Sequence, residues 1–160
     1  VVVAVNKVYL NTINKTLTLT KPFKYSAEHA KVGCDCPLVD QLESVSTTAY
    51  RFVFKDPTHR NCSSPNLIVH PGRKTKSCEE RCRCWALSFW RDYSQAESLL
   101  KHYLKTNKNF ANNAGDHIAE CTITIEDGLA EKNSGSHINL HEFTGTDFTH
   151  RFVNLKHIMP

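Results

Sequence analysis

The chain has 160 residues, of which 40% are hydrophobic and 22% charged, and carries a net charge of +4 at neutral pH. Those proportions suit one domain around one core and exclude a disordered chain. No apolar run approaches the roughly 20 residues that a membrane-spanning helix needs, so no membrane span is expected.

In chain order, Val1 to Leu10 reads as an opening strand interrupted by Asn6 and Lys7. Thr16 to Thr20 alternates, with Leu17 and Leu19 toward a core. Tyr25 to Val32 is helix-compatible by propensity, but Gly33 and the short length favour an extended segment. Leu38, Leu42 and Val45 stand at i, i+4 and i+7, which predicts a short helix with Pro37 in its first turn. The clearest strand follows: Tyr50, Phe52 and Phe54 alternate with more polar positions until Pro57 ends the run. Residues 55–76 are loop-rich, with a brief strand at Leu67–Val69. Glu80 to Arg91 reads as a central strand that is apolar on both sides, with Trp85, Leu87 and Phe89 on one face. Ser94 and Glu97 form a capping box that opens a helix through Leu99, Leu100, Tyr103 and Leu104. Asn107 to Gly115 is turn-rich.

Ala119 to Glu126 alternates strictly. Cys121, Ile123 and Ile125 are expected inward, and Glu120, Thr122, Thr124 and Glu126 outward, before Asp127 and Gly128 turn the chain. His137 to Phe143 places Ile138 and Leu140 inside, and Thr149 to His157 places Val153 and Leu155 inside. Many short strands, with one or two short helices, predict an all-β, two-sheet β-sandwich spanning residues 1–160 as a single domain.

The seven cysteines, Cys34, Cys36, Cys62, Cys78, Cys82, Cys84 and Cys121, point to an oxidising compartment and a disulfide-stapled fold. Sequons at Asn14 and Asn61 agree with secretion and are candidate glycosylation sites. Residues i and i+2 of an extended strand lie roughly 6.5–7 Å apart, so Cys34 and Cys36, or Cys82 and Cys84, each reach outward to other partners. An odd count gives three bridges and one free thiol, with the pairing open. Cys121, on the inward face, is expected in a bridge. The competing reading is zinc on Cys78, Cys82, Cys84 and a histidine, but that spacing fits no common zinc knuckle. No metal and no cofactor is expected.

No nucleophile elbow, metalloprotease helix or phosphate loop is present, so no catalytic residue is assigned and an enzyme is not expected. Nine histidines alone do not change that. His137 and His141 share a strand face but stand more than about 13 Å apart, too far for one metal. The basic run Arg73, Lys74, Lys76, Arg81 and Arg83 is a candidate glycosaminoglycan contact, interrupted by Glu79 and Glu80. With no recognition helix, nucleic acid is not expected as a partner. The outward row Glu120, Thr122, Thr124 and Glu126, with Asp127, is either an ordinary solvated sheet face or a flat dock for a basic protein.

The block from Cys34 to Thr47 (CDCPLVDQLESVST), together with Cys82-Arg83-Cys84 and Glu120 to Thr124, resembles the secreted chemokine-binding (SECRET) domains of poxvirus tumour-necrosis-factor-receptor homologues, which are related to the viral CC-chemokine inhibitor. The resemblance runs over the whole chain. It implies a secreted, extracellular β-sandwich decoy that binds host chemokines and blocks their receptors. It also implies that the domain is cut from a longer precursor, in keeping with the missing initiator methionine. Members of the wider fold group bind cytokines or class I histocompatibility molecules, which is the alternative partner class. The chain departs from that pattern in its positive charge and in lacking a long acidic loop.

Overall fold

The computed structural model describes residues 21–160; the two strands read at 1–10 and 16–20, and the sequon at Asn14, lie outside the described residues. In chain order the elements are α1 (Ser26–His29), a 3-10 turn (Val39–Gln41), β1 (Leu42–Ser44), β2 (Thr47–Val53), a second 3-10 turn (Arg60–Ser63), α2 (Asn66–Val69), α3 (Cys78–Arg83), β3 (Leu87–Trp90), α4 (Tyr93–Thr106), α5 (Phe110–Ala114), β4 (His117–Ile123), β5 (Gly128–Glu131), β6 (His137–Glu142) and β7 (Val153–His157). The strands form one antiparallel seven-stranded sheet in the order β1-β5-β6-β3-β2-β4-β7. The fold is β-rich, as expected. Where a second sheet was expected, the described residues supply one sheet, with helices and loops against its faces.

Period two explains how one sheet is covered on both sides. On one face, Ala49, Val53, Leu87, Phe89, Ala119, Cys121, Ile123, Ala130, Ile138 and Leu140 make the main core, closed by Cys62, Phe148 and Phe152 from the loops. Arg51 also points to this face, where the loop carbonyls of Cys62 at 2.5 Å and Ser64 at 3.0 Å, and the strand carbonyl of Ser88 at 2.6 Å, accept from its guanidinium. A buried cation is costly unless hydrogen-bonded, and these bonds tie the 60–64 loop down over the core. On the other face, Phe52 and Ile118 pack under Ala96 and Leu100 of α4.

Several local expectations change. Residues 80–85 are not strand: the Ser77 hydroxyl accepts the Glu80 amide, Glu79 and Glu80 occupy the first turn and Arg81 and Arg83 the last, so capping and dipole both favour α3. Asn66–Val69 and Ser26–His29 are single helical turns rather than extended segments. The helix expected over 37–45 shrinks to a 3-10 turn, after which Leu42–Ser44 joins the sheet beside β5. Helix α4 opens two residues before the expected Ser94, because the Asp92 carboxylate accepts both the Gln95 amide and the Ser94 hydroxyl. Val153, expected inside, is 49% exposed on the edge strand β7.

The cysteines differ most from expectation. The bridges are Cys34–Cys78 and Cys36–Cys82, so four cysteines are paired rather than six. Cys62, Cys84 and Cys121 are buried free thiols. Cys121, expected in a bridge, is instead a packing residue in the main core, where burial pushes its thiol up to about 12 and keeps it protonated. The paired set has a simple geometric cause. Cys34 and Cys36 stand two apart in the bent segment before the first 3-10 turn. Cys78 and Cys82 stand four apart on α3, a rise of about 6 Å on one helix face. Cys34 meets Cys78 and Cys36 meets Cys82, so the two bridges lie side by side along the helix.

Candidate functional site

The outward row of β4 is built by its pairing with β2 and β7. Glu120 lies opposite Tyr50 on β2 and Val153 on β7, and Thr122 lies opposite Thr48. This is the face that α4 covers further along, over Phe52 and Ile118. Thr48, Thr122 and Val153 remain exposed and Glu120 half-buried beyond the edge of that helix. Tyr50 meets Tyr93 of α4 edge-on at 5.4 Å. The Lys156 ammonium sits 5.1 Å over the Tyr93 ring and 4.0 Å from a Glu97 oxygen. The result is a shallow polar strip with one apolar side chain, one carboxylate and a lysine at its border.

The rest of the expected row does not continue this strip. Strand β4 ends at Ile123, because the Asp127 carboxylate accepts from the Thr124 amide at 2.7 Å and from its hydroxyl at 3.0 Å and bends the chain. Asp127 is buried, and both its oxygens also accept from Arg151, at 2.6 and 2.8 Å. Arg151 donates in addition to the Thr122 carbonyl. Burial pushes the Asp127 carboxyl up, but Arg151 and the Thr124 donors more than offset it, so the group stays below the usual carboxylate range. Asp127 and Thr124 are therefore the clamp that fixes the end of the strip. Ile125, expected inward, is 50% exposed at the tip of this turn. Beside it Glu126 is exposed, with the Lys21 ammonium 3.7 Å away.

Of the basic run, Arg73, Lys74 and Lys76 are all exposed, but Glu80 stands among them. One Glu80 oxygen lies 3.9 Å from the Arg73 guanidinium and the other accepts the Lys76 amide at 2.8 Å. The sequon residue Asn61 is the second residue of the second 3-10 turn, with its side-chain oxygen buried. Among the described residues, the group of side chains close enough to hold a metal is Cys34, Cys78 and Glu79, and its two sulfurs are bonded to each other. Two of the three cysteines in the zinc reading, Cys78 and Cys82, are likewise consumed by bridges.

Sequence reasoning missed the histidine–carboxylate contacts: strand pairing brings Glu131 to His141 and Asp116 to His157, while Asp116 beside His117 stands next to it in the chain. His141 is fully buried on β6, its Nε2 3.4 Å from a Glu131 oxygen on β5. His117 and His157 face each other across β4 and β7 with their rings 4.9 Å apart, and Asp116 reaches both, at 2.6 and 3.4 Å. The register of β4 against β7, unreadable from either strand alone, is what assembles this group. Comparison with protein-family models, with curated proteins and with solved structures finds no match for this chain.

Proposed function

We propose that this domain is a secreted binding module that captures a basic protein ligand on its sheet, host chemokines being the ligand class that the sequence resemblance implies. The observation that supports the reading most is the uncovered strip of Thr48, Glu120, Thr122 and Val153 beside α4. Short side chains keep it shallow, and Glu120, with Glu126 at the neighbouring turn, offers carboxylates to a ligand's lysines or arginines. Extracellular localisation belongs to the same proposal and is supported by the two bridges, which persist in oxidising surroundings. So does the two-sheet sandwich of the implied relatives, of which the described sheet would be one layer. The exposed Arg73, Lys74 and Lys76 are the proposed glycosaminoglycan contact.

Surface plasmon resonance of the immobilised domain against a panel of chemokines, with a cytokine panel and a class I histocompatibility molecule alongside, tests the ligand class. Saturable binding to at least one chemokine is expected. Binding confined to the cytokines or the class I molecule would replace chemokine by that ligand.

A further inference from the structure

On the same sheet face, on the far side of α4 from the strip, lies a cavity of about 400 Å³ between the sheet and the disulfide-tied segment. Its floor is Glu131 of β5 with His137 and Asn139 of β6; its walls are Pro37, Leu38 and Leu42, with Cys82 of one bridge; Asp35, Glu79 and Arg83 stand at its mouth. The volume is at the small end of ligand sites, the size for one long side chain rather than a cofactor.

The charges within it are unevenly matched. Glu79 has Arg83 beside it, which helps hold its carboxyl below the usual range after its local hydrogen bonds. The Lys132 ammonium, at the side of the cavity, donates to the Asp40 carbonyl at 2.6 Å. Glu131 accepts from the Asn139 amide at 3.1 Å and lies 3.4 Å from His141, but meets no lysine or arginine among the described residues. Asp35 has no ion pair there either. Among the described residues, two carboxylates without a lysine or arginine ion pair thus line a cavity that Arg83 and Lys132 border and that Pro37, Leu38 and Leu42 wall with apolar surface. That combination matches a long basic side chain, whose methylene stem lies on apolar surface while its head reaches an anion. Leu38 and Val39 are 38% and 37% exposed around this segment, an apolar collar that would exclude water from an inserted charge.

We propose that this cavity receives a lysine or arginine side chain of the protein ligand, with Glu131 and Asp35 holding its charge. The inference rests on the binding-module reading and adds a second contact to it. From β6 to β4 is three strand spacings, about 14 Å, well within one standard protein interface.

The test uses small probes, so that it does not depend on which protein binds. N-acetyl-arginine amide and N-acetyl-lysine amide are titrated into ¹⁵N-labelled protein and compared with N-acetyl-citrulline amide, which has nearly the shape of arginine without the charge. The expected result is saturable amide shifts at residues 35–42, 79–83 and 131–139 with the cationic probes and none with citrulline. Glu131→Gln and Asp35→Asn should each weaken the cationic probes by about fivefold, the loss of a charge-assisted contact. Asp35 is exposed, so its variant keeps the test alive even where Glu131→Gln disturbs the floor. Equal shifts from citrulline, shifts centred elsewhere, or unchanged affinity in Asp35→Asn would overturn the proposal. A silent cavity with chemokine binding intact removes this contact alone; probe binding in the cavity with no chemokine bound removes the ligand class alone.

Discussion

Asp127 decides where the outward row of β4 stops. The row's alternation with Ile123 and Ile125 looks regular in sequence, and Asp127 with Gly128 reads there as the turn that follows it. What sequence could not show is that Arg151, 24 residues on, would supply two bonds to that carboxylate. Asp127→Ala leaves Arg151 facing a buried gap. The expected cost is about 2–3 kcal/mol, below the about 3–5 of a wholly buried pair because part of Arg151 reaches water, and urea unfolding measures it. Thr124→Arg, which breaks the same clamp, should destabilise too, whereas Thr122→Arg on the exposed strip should not. His29 gives a second residue-scale prediction. It is buried with Phe23 at 5.9 Å and His141 at 5.5 Å, and its Nε2 has no hydrogen-bond partner among the described residues. Burial, helped by His141 and opposed by Glu28, lowers its pKa to about 4. An unfolded histidine titrates near about 6.5, so the unfolded chain binds the extra proton between these values. The stability from keeping His29 neutral is therefore complete above about pH 6.5 and is lost as pH falls toward 4, up to about 3 kcal/mol. His29→Gln should flatten that part of the stability–pH curve; a His29 NMR titration centred near 6.5 would contradict it.

At the scale of elements, strands with one clean period were readable. The cores of β4 and β6 stand where Ile123 and Leu140 put them, whereas on β2 Phe52 packs under α4 and the main core takes Ala49 and Val53 from the opposite face. Short helices were not, because four to six residues hold too little periodicity to outweigh β-favouring neighbours such as Leu67, Ile68 and Val69. For α3 a signal was available: Ser77 three before Glu80 is a capping pattern, overshadowed by the aromatic run that follows. Recognising that helix would also have shown Cys78 and Cys82 on one face, ready for Cys34 and Cys36. The double staple makes its own prediction. A first bridge across 46 residues restrains the unfolded chain by about 4 kcal/mol in the chain-entropy relation. The second then closes only a short ring, worth about 2 kcal/mol by the same relation. Replacing Cys36 and Cys82 together by Ser should cost about 2 kcal/mol, and replacing all four cysteines about 6. Because Cys121 is a core residue with no bridge, alkylation should find it only after unfolding; a bridge from Cys121 in a non-reducing peptide map would contradict the pairing.

For the whole molecule, the repeated period-two runs were enough to indicate a β-rich fold, while the layer arrangement was not legible, since faces covered by α4 and by Phe148 and Phe152 carry the same alternation as faces packed on a second sheet. The net charge of +4 also constrains the proposed binding. Long-range steering of a basic ligand is weak or repulsive, so affinity has to come from local carboxylates and close contact. The direct test is surface plasmon resonance with a chemokine that binds the wild-type domain, comparing Thr122→Arg and the pair Glu120→Lys with Glu126→Lys. The account predicts at least about tenfold weaker binding for each, equivalent to about 1.4 kcal/mol. The charge-reversed protein should also associate more slowly as salt is lowered, because like charges are then less screened. Unchanged affinity in both variants, with melting temperatures equal to wild type, would contradict it.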